Sequence, residues 1–106
     1  MPYLLRLALG LSVLLVSEQT GEEIHLTRPS NLIGRSSDCD VVIKKSDVSK
    51  RHCRILIRST EAEIEDLDSV NGTTINGEPV TRRELMNGDI LAIADYSFRV
   101  ELIPPQ

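Results

Sequence analysis

The chain is nearly without aromatic residues: Tyr3, Tyr96 and Phe98 are the whole set, and tryptophan is absent. Stacking nucleic-acid bases would have little to work with, and the core must be aliphatic. An excess of positive charge is missing too. The formal net charge is −4, which argues against a general nucleic-acid binder. Cysteine and histidine number two each. The spacing of Cys39 and Cys53 fits no zinc pattern, so neither a metal nor a cofactor is expected. Both thiols are read as reduced, which favours an intracellular home, cytoplasmic before nuclear. No stretch longer than two turns keeps a helical period, apart from the ambiguous first sixteen residues.

Those residues, "MPYLLRLALGLSVLLV", hold the longest apolar run, Leu7 to Val16, preceded by Arg6. They share some features with a secretory signal. No small-x-small cleavage site follows, Gly10 and Ser12 interrupt the run, and the length is short for a membrane span. Strand structure is the preferred reading and no membrane role is expected; a signal or anchor at 1–16 stays open. Residues 1–12 are either an extra strand or an N-terminal segment, including the first half of a strand bent at Gly10.

What is present is globular: 106 residues, 41% hydrophobic and 26% charged, enough for one domain over 1–106 with its own core. The apolar pattern has period two. Ile24 and Leu26 alternate with His25 and Thr27. Cys53, Ile55 and Ile57 point one way, with Arg54, Leu56 and Arg58 the other. Ala62 and Ile64 continue the pattern, Ile90, Ala92 and Ala94 alternate with Leu91 and Ile93, and Phe98, Val100 and Leu102 alternate with Arg99 and Glu101. Val41 to Ile43 reads as a short buried strand. "NG" at Asn76-Gly77 reads as a type I′ hairpin turn, and Gly88 as a left-handed turn residue. Many short strands between Gly, Asn and Asp turns give an all-β sandwich or barrel. Oligomeric state is not legible.

Charge is unevenly spread. Residues 34–58 hold seven cations (Arg35, Lys44, Lys45, Lys50, Arg51, Arg54, Arg58) against Asp38, Asp40 and Asp47, so this segment is +4 and the remainder −8. A basic segment on an acidic background suits one local anionic ligand, although a solvated strand face would look the same. Three loops carry polar residues beyond what turns require. "GRSSD" at 34–38 sends a guanidinium from a sharp bend, a planar fork matched to phosphate or carboxylate oxygens. "SKRH" at 49–52 brings a hydroxyl, two cations and an imidazole together. "SVNGTTING" at 69–77 offers Asn71, whose amide can donate and accept like a backbone rung, next to Gly72.

In order and together, "LIGRSSDCDVVI", "DVSKRHCRI", "DLDSVNGTTINGEPV", "LMNGDIL" and "FRVEL" resemble the forkhead-associated (FHA) domain, from about Val13 to Leu102. The resemblance implies a β-sandwich of two mainly antiparallel sheets with about eleven strands. It also implies loops at one end that bind phosphothreonine in a partner protein, as in Ser/Thr kinase signalling. Arg35 and Ser49 match its phosphate-contacting residues, and Lys50 matches a frequent third contact. Asn71 matches the asparagine that bonds the partner's main chain. Gly34, His52, Gly72 and Asn76 match loop-shaping positions. Val70 departs from the threonine or serine common at its position and cannot donate to phosphate. Asp47, Val70 and Arg51 flank the site as candidates for reading neighbouring partner residues.

Two rivals stand beside this reading. Ser49 and His52 could be a nucleophile and its base. However, a strand entering after the loop sends adjacent side chains apart, and no orienting carboxylate or oxyanion hole is marked. The other rival is a scaffold of the same fold that binds its partner by a sheet face or edge without phosphate.

Overall fold

The computed structural model describes residues 10–105. The readings for the first nine residues lie outside it. Eleven strands run in order. They are β1 (Ser12–Ser17), β2 (Glu23–Leu26), β3 (Ser30–Gly34), β4 (Val41–Val42), β5 (Cys53–Ile57), β6 (Ala62–Asp66), β7 (Thr73–Ile75), β8 (Glu78–Pro79), β9 (Arg82–Leu85), β10 (Ile90–Ile93) and β11 (Tyr96–Ile103). One sheet has the order β2-β1-β11-β10-β7-β8 and the other β4-β3-β5-β6-β9. Every pairing is antiparallel except β3 with β4.

The alternation read from the sequence produces this arrangement. In β5, Cys53, Ile55 and Ile57 are buried while Arg54 and Leu56 are half-exposed. Period-two patterning sends every second side chain to the same face. Val13, Leu15, Leu91, Ile93, Phe98 and Val100 from the first sheet meet Ile33, Ile55, Ile64 and Leu85 from the second in one apolar cluster. That shared core makes the fold a sandwich. The outer face of the second sheet is charged, with Arg54 bonded to Glu65 across the β5–β6 pair, and Arg58 and Arg82 both on Glu63.

The turn chemistry holds as well. Asn76 and Gly77 take φ of 52° and 85°, both left-handed as a type I′ turn demands, and join β7 to β8. Gly88 has φ 90° before β10. Two details differ from the sequence reading. β4 is buried on one side only, because Val42 sits on the edge strand of its sheet and is half-exposed. β9 is a strand without an apolar alternation: of "RREL" only Leu85 is buried, and pairing with β6 makes the strand. Among the described residues no helix is long and apolar enough to cross a membrane.

Candidate functional site

The β3–β4, β4–β5 and β6–β7 loops meet at one end of the sandwich, joined by hydrogen bonds from main chain and side chains. The foundation is a close approach. Gly34 ends β3 with no side chain, and the Lys50 carbonyl occupies the space a Cβ would need. The Arg35 N–H donates to the Ser49 carbonyl at 3.0 Å, and the Ser36 N–H to the Lys50 carbonyl at 3.2 Å. The Cys39 thiol donates to that same Lys50 oxygen at 3.2 Å. Residues 49 and 50 are thus laid against the end of β3.

His52 is fully buried and ties the second loop to the third. Its Nδ1 accepts the Ser49 N–H at 3.1 Å, and its Nε2 lies 2.8 Å from the Gly72 carbonyl. A carbonyl can only accept, so Nε2 carries the proton and the ring is neutral. This geometry disposes of the Ser–His catalytic pairing. Both ring nitrogens are occupied by main chain, and the Ser49 Oγ instead accepts the Val70 N–H at 2.9 Å. Accepting that bond leaves the hydroxyl proton of Ser49 available to another acceptor.

The cations divide into two groups. Arg51 is paired with Asp38 at 3.1 Å, Arg54 with Glu65 at 2.6 Å and Arg58 with Glu63 at 3.4 Å. Among the described residues Arg35, Lys44, Lys45 and Lys50 make no such pair. The Arg35 Nε donates to the Val48 carbonyl at 3.0 Å, which fixes the plane of the guanidinium while both terminal nitrogens keep their donors. Lys45 lies over the Tyr96 ring, 5.7 Å from its centre.

Asn71 Nδ2 donates to the Asp47 carbonyl at 2.6 Å, so its side chain is fixed with Oδ1 and one amide hydrogen unused. The Gly72 N–H donates to Ser69 Oγ at 3.0 Å, with Gly72 at φ 88°. The structure therefore gathers Gly34, Arg35, Asp47, Ser49, Lys50, His52, Val70, Asn71 and Gly72. It does not gather Arg51, whose charge is taken by Asp38, nor Asn76. Asn76 stands at the far end of β7 and bonds the Asp89 carboxylate and the Ile90 N–H.

Sequence reasoning passed over Asp66, at the end of β6. Its carboxylate receives the Ser69 hydroxyl at 2.6 Å, the Ser69 N–H at 3.1 Å and the Thr73 hydroxyl at 2.7 Å. Burial acts to raise its pKa, but the bonds from Ser69 and Thr73 outweigh that and hold it below the ordinary carboxylate value. The spacing Asp66-x-x-Ser69 at a strand end is the signal that would have found it. Among the described residues no three His, Cys, Asp or Glu side chains cluster as metal ligands.

Comparison with known proteins bears on the family and the fold. The model of the FHA domain family matches residues 31–94, more than half of the chain. The proliferation marker protein Ki-67 of Mus musculus is 43% identical over 89 residues, covering 80% of this chain and 3% of that protein. Mycobacterium tuberculosis EmbR, solved in complex with a low-affinity phosphopeptide, superposes with a TM-score of 0.84 at 28% identity. That match covers 90% of this chain and 25% of EmbR. A domain solved in work on phosphothreonine-dependent FHA domain interactions gives a TM-score of 0.79 at 32% identity, covering 89% of this chain and 97% of that one. The chain spans a small fraction of Ki-67 and a quarter of EmbR. With the two sheets, the loop signatures and the family match in agreement, the chain belongs to the FHA domain family.

Proposed function

We propose that this domain binds phosphothreonine in an extended segment of a partner protein and so links the two in a phosphorylation-dependent complex, as in Ser/Thr kinase signalling. One observation carries the reading. Among the described residues Arg35, Lys44, Lys45 and Lys50 of the basic segment have no carboxylate partner. Arg35 and Lys50 adjoin Ser49, the first by a main-chain hydrogen bond and the second in the chain, where the serine hydroxyl keeps its proton.

Phosphothreonine brings about −1.5 to −2 charges and three strong acceptor oxygens. Arg35 supplies two parallel donors, Ser49 one, and Lys50 a mobile positive charge. Each charge-assisted bond contributes roughly 1.5–3 kcal/mol. After desolvation and ordering of the peptide, about −8 kcal/mol remains, which corresponds to micromolar affinity. Asn71 then holds the partner's main chain beside the phosphothreonine with the oxygen and hydrogen that Asp47 leaves unused. The fold of EmbR, solved with a phosphopeptide, supports the same use of these loops here.

The test is titration with one peptide in three forms: phosphothreonine, phosphoserine and unmodified. The phosphothreonine form binds and the unmodified form does not, and Arg35→Ala abolishes binding while the melting temperature holds. Equal binding of all three forms would replace this reading with the phosphate-independent scaffold.

A further inference from the structure

The two sheets do not close along one side. Edge strand β2 of the first sheet pairs with β1 alone, and edge strand β4 of the second pairs with β3 alone. Between them lies a cleft of about 160 Å³, bordered by His25, Arg28, Asn31 and Asp40. A second hollow of about 200 Å³, bordered by Glu22, Val42, Ile43, Tyr96 and Phe98, continues it, with Ile24 and Val41 lining both. Asn31 gives the polar end a specific demand. It is 2% exposed, on the inward side of β3 opposite Ile55. Its Nδ2 donates to the Arg28 carbonyl at 2.9 Å and to the Ile55 carbonyl at 3.2 Å, so the amide cannot turn over. Its Oδ1 accepts nothing among the described residues. No side-chain nitrogen or oxygen wholly shut from solvent lacks a partner among them, so Oδ1 is the atom that opens onto the cleft. A nearly buried acceptor left unpaired favours a ligand that donates.

From this seam we infer a second docking site: an extended segment of a partner protein adds to the open edge of β2, with no phosphate required. The inference stands apart from the phosphothreonine reading. A strand edge offers main-chain donors and acceptors in alternation, and a peptide strand matches both along its length. β2 has no proline within it to block such pairing. Side chains of the added strand alternate between the two faces of the sheet. Those pointing inward enter the seam. Apolar ones lie against Ile24, Val41 and Val42, and the one level with residues 26–28 carries a hydroxyl that donates to Asn31 Oδ1. Those pointing outward lie beside Glu23 and His25, which share the exposed face of the first sheet. Glu18, Glu22 and Glu23 take part in no ion pair among the described residues, so the outward positions are basic. Opposite charges facing each other across paired strands attract. The partner segment therefore has apolar and hydroxyl side chains on one side and lysine or arginine on the other.

The probe is a capped, unphosphorylated heptapeptide, Lys-Val-Lys-Thr-Lys-Val-Lys, titrated into the intact protein while its amide resonances are followed. Shifts are expected at residues 23–31, including the side-chain amide of Asn31, and a phosphothreonine peptide does not displace the probe. Replacing the threonine by isosteric valine weakens binding by about three- to tenfold, because Asn31 Oδ1 is then covered without a donor. Glu22→Lys combined with Glu23→Lys alters two exposed side chains and weakens binding of the lysine peptide by about three- to tenfold. The same peptide with glutamate for lysine then prefers the substituted protein. Shifts centred on Arg35, Ser49 and Asn71 would place the probe at the phosphate end and overturn the second site, as would no shift at β2 up to millimolar peptide. Equal affinity of the threonine and valine peptides would overturn the role of Asn31. Concentration-dependent shifts of β2 without any peptide would show the edge pairing with a second copy and overturn the partner assignment. None of these results bears on the phosphate reading, whose own titration is separate.

Discussion

Gly34 and Lys50 touch main chain to main chain: a Cβ on residue 34 would lie 2.8 Å from the Lys50 carbonyl carbon, overlap its oxygen, and meet the Ser49 oxygen at 3.0 Å. The glycine is required here by space and not by a left-handed backbone. The atoms in the way are backbone, held by Ser36 and Cys39, and cannot swing aside as a side-chain tip would. Gly34→Ala is therefore expected to destabilise the domain by roughly 1–3 kcal/mol. It is also expected to weaken phosphopeptide binding by more than the fold loss explains, because the displaced residues carry the Ser49 hydroxyl and the Lys50 charge. Denaturant melts and titration at a temperature where the variant is fully folded separate the two effects. An unchanged affinity in the folded variant would show that the loop tolerates the shift.

His52 joins two loops from the inside, so its removal should damage both stability and binding. His52→Ala leaves the Ser49 N–H without its partner, removes a bond from the Gly72 carbonyl, and opens a cavity where a fully buried ring stood. Buried groups left without partners cost about 1–3 kcal/mol each. For a domain of this size each kcal/mol shifts the melting temperature by about 4–8 °C. A fall on the order of 10 °C or more is expected, together with weaker binding. A variant that melted normally yet lost binding would mean that the imidazole meets the ligand directly.

Much of this was legible in the order of residues, and the reasons for success and failure are local. Period-two burial in β5 and the Asn76-Gly77 turn are written in side-chain type and positive φ, so they could be read directly. The gathering of Arg35, Ser49 and Asn71 was legible only through the ordered set of loop signatures, since each pair of residues alone would be unremarked. β9 was not legible because its pattern comes from pairing with β6 rather than from apolar alternation. In the sequence Arg51 reads as a flanking residue, with its charge as open to a partner as that of Lys50. Which cation keeps its charge free depends on Asp38, thirteen positions earlier, being folded back onto it, and Ser36 holds that carboxylate in place at 2.5 Å. Asp66 was hidden for the same reason: its importance lies in three bonds that exist only once the third loop has closed.

Asp66 also gives the domain a pH signature. Its folded pKa is depressed, so its contribution to stability is present above the unfolded value of about 3.9 and is lost as pH falls through the lower folded value. Asp38, bonded to Ser36, and Glu63, bonded to Arg82, are lowered as well and act in the same sense. Melting temperature should accordingly drop as pH is taken below about 4. Asp66→Asn should be less stable at neutral pH, because an amide cannot accept all three bonds. It should also show a shallower acid slope, with a residual part left by Asp38 and Glu63. Parallel acid slopes for the two proteins would remove Asp66 from the account.

Asn71 permits a finer separation between phosphate and main-chain recognition. Its amide nitrogen is committed to the Asp47 carbonyl, so the rest of the amide is presented in one orientation. Asn71→Ala removes the proposed main-chain contact to the partner but touches neither Arg35 nor Ser49. Affinity should fall by about tenfold or somewhat more, the equivalent of one or two hydrogen bonds, while phosphorylated peptide still outbinds unmodified peptide. Asn71→Asp is nearly isosteric and behaves differently. The carboxylate cannot donate to the Asp47 carbonyl and brings negative charge beside the phosphate, so binding should fall further than in the alanine variant. The difference should narrow as salt is added, since repulsion between exposed charges is screened. Titrations of both variants at low and high ionic strength measure this. If alanine and aspartate proved equally weak at every salt concentration, residue 71 would lie too far from the phosphate for the assigned geometry.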